Sequence, residues 1–80
     1  MRPEVIEFAE EMEGVLKEND FKGSWMDIPI QYLEFRLVEE VGEYFHFAAE
    51  RAEVGIMDNK KAKKELIDIA NFCLMVHSRL

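Results

Sequence analysis

Apolar residues recur at helical spacing along three stretches of the chain. In the first, Val5, Phe8, Ala9, Met12 and Leu16 share one side of a helical wheel, while Glu4, Glu7, Glu10, Glu11 and Glu13 fall mostly elsewhere. This pattern predicts an amphipathic helix ending near Lys17. Pro3 suits its first turn, where a missing N–H costs nothing. In the second stretch Ile30, Leu33, Leu37, Val41, Tyr44 and Ala48 fall within one broad arc at about 100° per residue. A second helix is predicted from about Pro29 to Val54. After a turn marked by Gly55, Asp58 and Asn59, a third helix is predicted to run to about Arg79. Its face is read as Leu66, Ile69, Ala70, Cys73, Val76 and His77. Ile67, Phe72, Leu74 and Met75 carry the apolar surface nearly all the way round, as for a helix buried on several sides.

The connector from Asn19 to Pro29 holds the turn-forming residues Asn19-Asp20 and Lys22-Gly23-Ser24, with Trp25 and Met26 among them. Asp27 is placed to cap the second helix and Pro29 to occupy its first turn. A tryptophan in such a loop has two readings. It folds over the core as an apolar lid, or it offers a stacking platform for a nucleobase. Phe21 carries the same two readings.

Length and composition then limit the architecture. Eighty residues make one domain, spanning 1–80, with room for about three helices, and 49% of them are hydrophobic. A chain this small buries only roughly 60% of its unfolded surface, so three helices alone are marginal. The expectation is an all-α fold whose apolar excess is covered in a homodimer or homotetramer, a partner subunit completing the helical bundle. The net charge of −7 argues against binding a nucleic-acid polymer, which needs Lys and Arg to neutralise phosphates. Small phosphorylated ligands stay open, because a divalent cation can supply the opposite charge. With Cys73 the only cysteine, no internal disulfide can form, and its apolar setting reads as a buried side chain. The acidic first twenty residues lack a signal-peptide pattern and no apolar run approaches a membrane span, so a cytoplasmic protein is expected.

The chemistry concentrates in two acidic pairs. Glu40 and Glu43 are three apart, as are Glu65 and Asp68, so each pair shares a helix face. Glu40 lies at the border of the second helix's core arc, where a carboxylate is partly desolvated and needs a partner. Two helices meeting along these faces gather four carboxylates, which repel one another unless protons or a cation are supplied. Magnesium takes oxygen ligands and usually keeps waters while binding substrate phosphates, so Mg²⁺ is the cation expected. The competing account is a set of salt bridges to Arg36 and the lysines. Lys60, Lys61, Lys63 and Lys64 form either a solvated start to the third helix or a positive rim that meets phosphates. Asn71, three after Asp68, either satisfies backbone or reaches toward the carboxylates. Glu43-x-x-His46 has the spacing of a di-iron bundle ligand pair, but a second such pair is missing within the chain. No P-loop, dinucleotide fingerprint or zinc spacing is present.

Glu39-Glu40-Val41-Gly42-Glu43, followed by Glu65-Leu66-Ile67-Asp68, resembles the MazG-like all-α nucleoside triphosphate pyrophosphohydrolases. Their signature is Glu-Glu-x-x-Glu, a variable gap, then Glu-x-x-Asp, and the resemblance spans roughly Trp25 to Val76. It implies a helical dimer or tetramer and Mg²⁺-dependent cleavage of a nucleoside triphosphate to monophosphate and pyrophosphate. By position, Glu40, Glu43, Glu65 and Asp68 match the family's metal ligands. Glu39 matches its leading acid, which acts beside the metal or orients water. Trp25, Lys61, Lys64 and Asn71 are candidates for base or phosphate contacts that the motif itself does not fix.

Overall fold

The computed structural model describes residues 1–54 and 59–80, and within them the chain is all-helical, with no strand. Helix α1 spans Pro3–Glu18, α2 spans Ile30–Val54 and α3 spans Asn59–Arg79. Pro3 opens α1 as expected. At the other end Asn19 closes it, its backbone N–H bonding to Leu16 and its side-chain amide donating 2.9 Å to the carbonyl of Val15. The turn expected at Gly55 and Asp58 lies outside the described residues, and Asn59 belongs to α3.

The connector folds into two short 3₁₀ turns, Asp20–Lys22 and Trp25–Asp27. Gly23, at φ 98°, separates them in a conformation that side-chain-bearing residues rarely adopt. Ser24 caps the second turn by accepting a 3.1 Å bond from the Met26 N–H. Two expectations change here. Asp27 lies within that turn, and Pro29 sits just before α2, its carbonyl accepting from the N–H groups of Tyr32 and Leu33.

Helix α3 is the centre of the molecule, packing against both α1 and α2, and the second 3₁₀ turn also leans on it. Among the described residues Leu33, Ala62 and Ile67 are the buried apolar ones, Leu33 at 1% exposure. Glu40 and Asn71 are buried with them, which is a high polar share for so small a core. The radius of gyration, 14.0 Å, exceeds the roughly 12 Å of a compact domain of this length. Helix α1 has no buried residue, and Val5 and Phe8 on its expected inner face stay 47% and 41% exposed.

The inner side of α3 also differs from the expected one. Ala62, Ile67 and Asn71 are buried, whereas Leu66, Cys73 and His77 of the expected face are exposed. Cys73 is thus an exposed thiol in this chain. On a helix apolar nearly all round, periodicity alone cannot say which side meets α1 and α2. No helix among the described residues is long and apolar enough to cross a membrane.

Candidate metal centre

Helices α2 and α3 are each other's main neighbours, and their contact sets the acidic pairs face to face. Glu40, Glu43 and Glu65 each place a carboxylate oxygen within 4.8 Å of the others. Glu40 is buried, Glu65 half-buried and Glu43 exposed, so the trio runs from the helix contact out to solvent. Asp68, one turn beyond Glu65, flanks the trio without joining it. Glu39 is exposed and lies outside it as well.

Arg36, one turn before Glu40, holds the cluster together. Its Nη2 donates 2.8 Å to Glu40 and its Nη1 donates 3.3 Å to Glu39, while the guanidinium lies 5.4 Å from the centroid of the Phe72 ring. This stacked, forked arrangement uses what distinguishes arginine from lysine. Partial burial works against its charge, but the hydrogen bond to Glu39 and the charges of Glu40 and Glu39 outweigh that and raise its pKa. The competing salt-bridge account therefore holds for Glu40 and Glu39. It does not extend to Glu65.

Glu65 is the strained member of the set. Burial, then hydrogen bonds with Glu40 and Glu43, then their negative charges push its pKa from the ordinary 4.5 to about 8. That shift favours the protonated form of the Glu65 carboxyl at neutral pH. Its Oε2 is buried and meets no hydrogen-bond donor. Asp68 is raised too, by burial first and by Glu40 second, with Lys64 pulling the other way. An orphaned carboxylate oxygen beside two further hard oxygen ligands, on two rigid helices, fits a magnesium ion. Cation binding at this trio would displace the proton and give the Glu65 carboxylate a partner.

Beside the trio opens a cavity of about 580 Å³, within the usual range for small-molecule sites. Glu40 and Asp68 line it from the acidic side, Arg36 and Lys64 add positive charge, and Trp25 and Phe72 supply aromatic walls. Trp25 is half-buried and held in place: its indole N–H donates 3.0 Å to Ser78 Oγ, and its carbonyl accepts from Arg79 Nη1. Arg79 also donates to the carbonyl of Ile28, fastening the connector to the end of α3. The lid and the cavity wall are the same residue. Phe21, by contrast, is 82% exposed and covers nothing.

Of the other candidates, Lys64 lies on the cavity wall, whereas Lys61 is exposed and off it. Asn71 lines the cavity and donates 3.2 Å to the Met12 carbonyl, leaving its Oδ1 buried without a partner. It satisfies backbone, tying α3 to α1, instead of reaching the carboxylates. His46 is exposed, stacks edgewise on Phe47 and is not part of the trio, so the di-iron spacing builds no such site among the described residues. Arg36 is the residue that sequence reasoning undervalued, although its i, i+4 spacing to Glu40 was a usable signal. Comparison of the chain with family models, curated proteins and solved structures finds no match.

Proposed function

We propose that the protein is a Mg²⁺-dependent nucleotide pyrophosphohydrolase, acting as a homodimer or homotetramer and cleaving a nucleoside triphosphate to monophosphate and pyrophosphate. The observation that carries this reading is the convergence of Glu40, Glu43 and Glu65 within 4.8 Å, beside a nucleoside-sized cavity. The signature-like spacing of the acidic pairs supports it independently.

In this reading Glu40, Glu43 and Glu65 hold the ion, with Asp68 ligating directly or through water. Bound there, Mg²⁺ would supply charge neutralisation for the triphosphate and lower the cost of forming hydroxide. Trp25 and Phe72 sandwich or flank the base, and Lys64 meets phosphate oxygen on the cavity wall. Glu39, exposed and tethered to Arg36, orients the attacking water and accepts its proton. The water oxygen bonds to phosphorus as the bridging P–O bond breaks, and pyrophosphate leaves with that electron pair.

Incubating the protein with a nucleotide panel and Mg²⁺ and measuring pyrophosphate tests this. Metal-dependent release is expected for at least one nucleotide, with a loss of 100-fold or more, about 2.7 kcal/mol, in Glu40→Gln/Asp68→Asn. Release equal to that of the double variant would sink the reading. A second reading, a non-catalytic nucleotide- or protein-binding helical module, is favoured by one observation: Arg36 already neutralises Glu40. Mg²⁺-dependent nucleotide binding without turnover would select it.

A further inference from the structure

Asn71 leaves a hydrogen-bond acceptor unused in the wall of the cavity. The residue is 3% exposed and lines the cavity from α3. Its amide nitrogen donates 3.2 Å to the carbonyl of Met12, and that contact fixes which way the amide faces, because two oxygens there would repel each other. Oδ1 is buried and meets no donor among the described residues. A buried acceptor left without a partner costs its full desolvation, so it calls for a reason.

Tying α3 to α1 does not supply that reason. Met12 lies inside α1, where the N–H of Leu16 is already the helical partner of its carbonyl. An apolar side chain packs between the same two helices without an orphaned oxygen, as Ile67 does one turn earlier.

Position along α3 points to a ligand. Lys64, Asp68, Asn71, Phe72 and Met75 recur at three- and four-residue spacing, and all line the cavity. Asn71 is six residues beyond Glu65, about 9 Å along the helix axis. Phosphates held at the carboxylates would send the nucleoside toward Asn71, with Phe72 and Trp25 as the walls on which its base stacks.

The groups that α1 and the connector bring to this cavity are mainly acceptors too. Glu18, Asn19 and Asp20 line it at the carbonyl end of α1. Nearby side-chain donors are committed, the Asn19 amide to Val15 and the Trp25 indole to Ser78. Lys22 is the exception, exposed with its ammonium 5.8 Å from the Phe21 ring.

We infer that Asn71 reads the base, Oδ1 accepting an N–H from its edge, and that the cavity selects nucleotides whose base bears an exocyclic amino group. Cytosine and adenine carry that amine where uracil and hypoxanthine carry a carbonyl. An acceptor facing this position attracts the first pair and repels the second. A keto base still has a ring N–H, but the carbonyl beside it would meet the same acceptors. A site built to bond an N–H discriminates against the analogue lacking it, because its own buried group is then left unpaired.

The inference rests on the nucleotide site of the proposed function and not on hydrolysis, so its test is binding. Hydrolysis-resistant forms of cytidine, uridine, adenosine and inosine triphosphate are titrated calorimetrically into the full chain with Mg²⁺. The amino member of at least one pair is expected to bind tenfold or more tighter than its keto counterpart, about 1.4 kcal/mol. In Asn71→Leu that ratio should fall below threefold, a change that a merely structural role for Asn71 would not produce. Where this variant fails to fold, amine-methylated forms of the preferred nucleotide decide on the unaltered chain. Monomethylation, which keeps one N–H, should be tolerated, and dimethylation should cost tenfold or more. Equal or tighter binding of both keto members, a preference that persists in Asn71→Leu, or full tolerance of dimethylation overturns the assignment and leaves the nucleotide site standing. Failure of all four nucleotides to bind overturns the proposed function and the assignment with it.

Discussion

Glu65 and Arg36 divide the work of keeping five acidic side chains near one another. Arg36 neutralises Glu39 and Glu40 permanently, while Glu65 depends on a proton or a cation. Its pKa is higher folded than unfolded, so between 4.5 and about 8 the native protein binds a proton that the unfolded chain releases. Without divalent metal, its contribution to stability is therefore full below pH 4.5. The contribution shrinks as pH rises and is gone above about 8. Glu65→Gln, which keeps a neutral side chain at every pH, should abolish that part of the decline. Thermal melts of the two proteins across this window, in chelator, should match at the acid end and separate toward pH 8, the variant melting higher. Mg²⁺ should then raise the melting temperature of the unaltered protein most at alkaline pH and have little effect on the variant. Identical pH profiles would mean that Glu65 is hydrated and unstrained. At this scale the sequence was informative about which carboxylates meet, because i, i+3 spacing is a geometric fact. It was silent on which one would be protonated, since that depends on burial. Asp68 and Glu65 have the same sequence credentials, yet only Glu65 joins the trio.

Helix boundaries were legible because the chain punctuates itself. Pro3 starts α1, Asn19 closes it and Gly23 breaks the connector, so the observed ends fall within a residue or two of the expected ones. Helix phase was less legible, and α3 shows why. Its apolar residues surround it, and the chain's own packing uses Ala62, Ile67 and Asn71 while leaving Leu66 and Cys73 outside. An amphipathic pattern identifies a face that wants cover; it does not say which neighbour provides it. Of the expected inner side of α3, Leu66, Cys73 and His77 are exposed while Ile69, Ala70 and Val76 are half-buried. Leu33, by contrast, was on the expected core arc and is the most buried residue. Leu33→Ala should cost about 2–5 kcal/mol in denaturant unfolding by opening a cavity at the α2–α3 contact. A loss below ~1 kcal/mol would show that the α2–α3 contact does not depend on Leu33.

The cavity brings all three helices and the connector to bear on one volume, with Val15 and Leu16 from α1, Trp25 from the second 3₁₀ turn, Arg36 from α2 and Asp68 from α3. No pair of sequence-adjacent motifs marks such a space, which is why Trp25 stayed ambiguous between lid and platform until its partners were known. The indole is tied by its N–H to Ser78, so its ring plane is set before any ligand arrives, and its carbonyl is tied to Arg79. That preorganisation suits a stacking surface, because little side-chain freedom remains to be lost on binding. The chain contains a single tryptophan, so its fluorescence reports this wall alone. Titrating a hydrolysis-resistant nucleoside triphosphate should quench or shift that emission in the presence of Mg²⁺. The apparent affinity should fall at least tenfold in chelator, since the triphosphate then faces the Glu40–Asp68 side of the cavity without a cation. Trp25→Phe retains a ring but loses the Ser78 bond, whereas Ser78→Ala loses the bond and retains the indole. If stacking matters, affinity measured calorimetrically should survive Trp25→Phe better than Trp25→Ala, and Ser78→Ala should weaken binding modestly. Equal affinity in all three variants would reduce Trp25 to a lid over α3, and emission unresponsive to every nucleotide tried would remove the base from this cavity altogether.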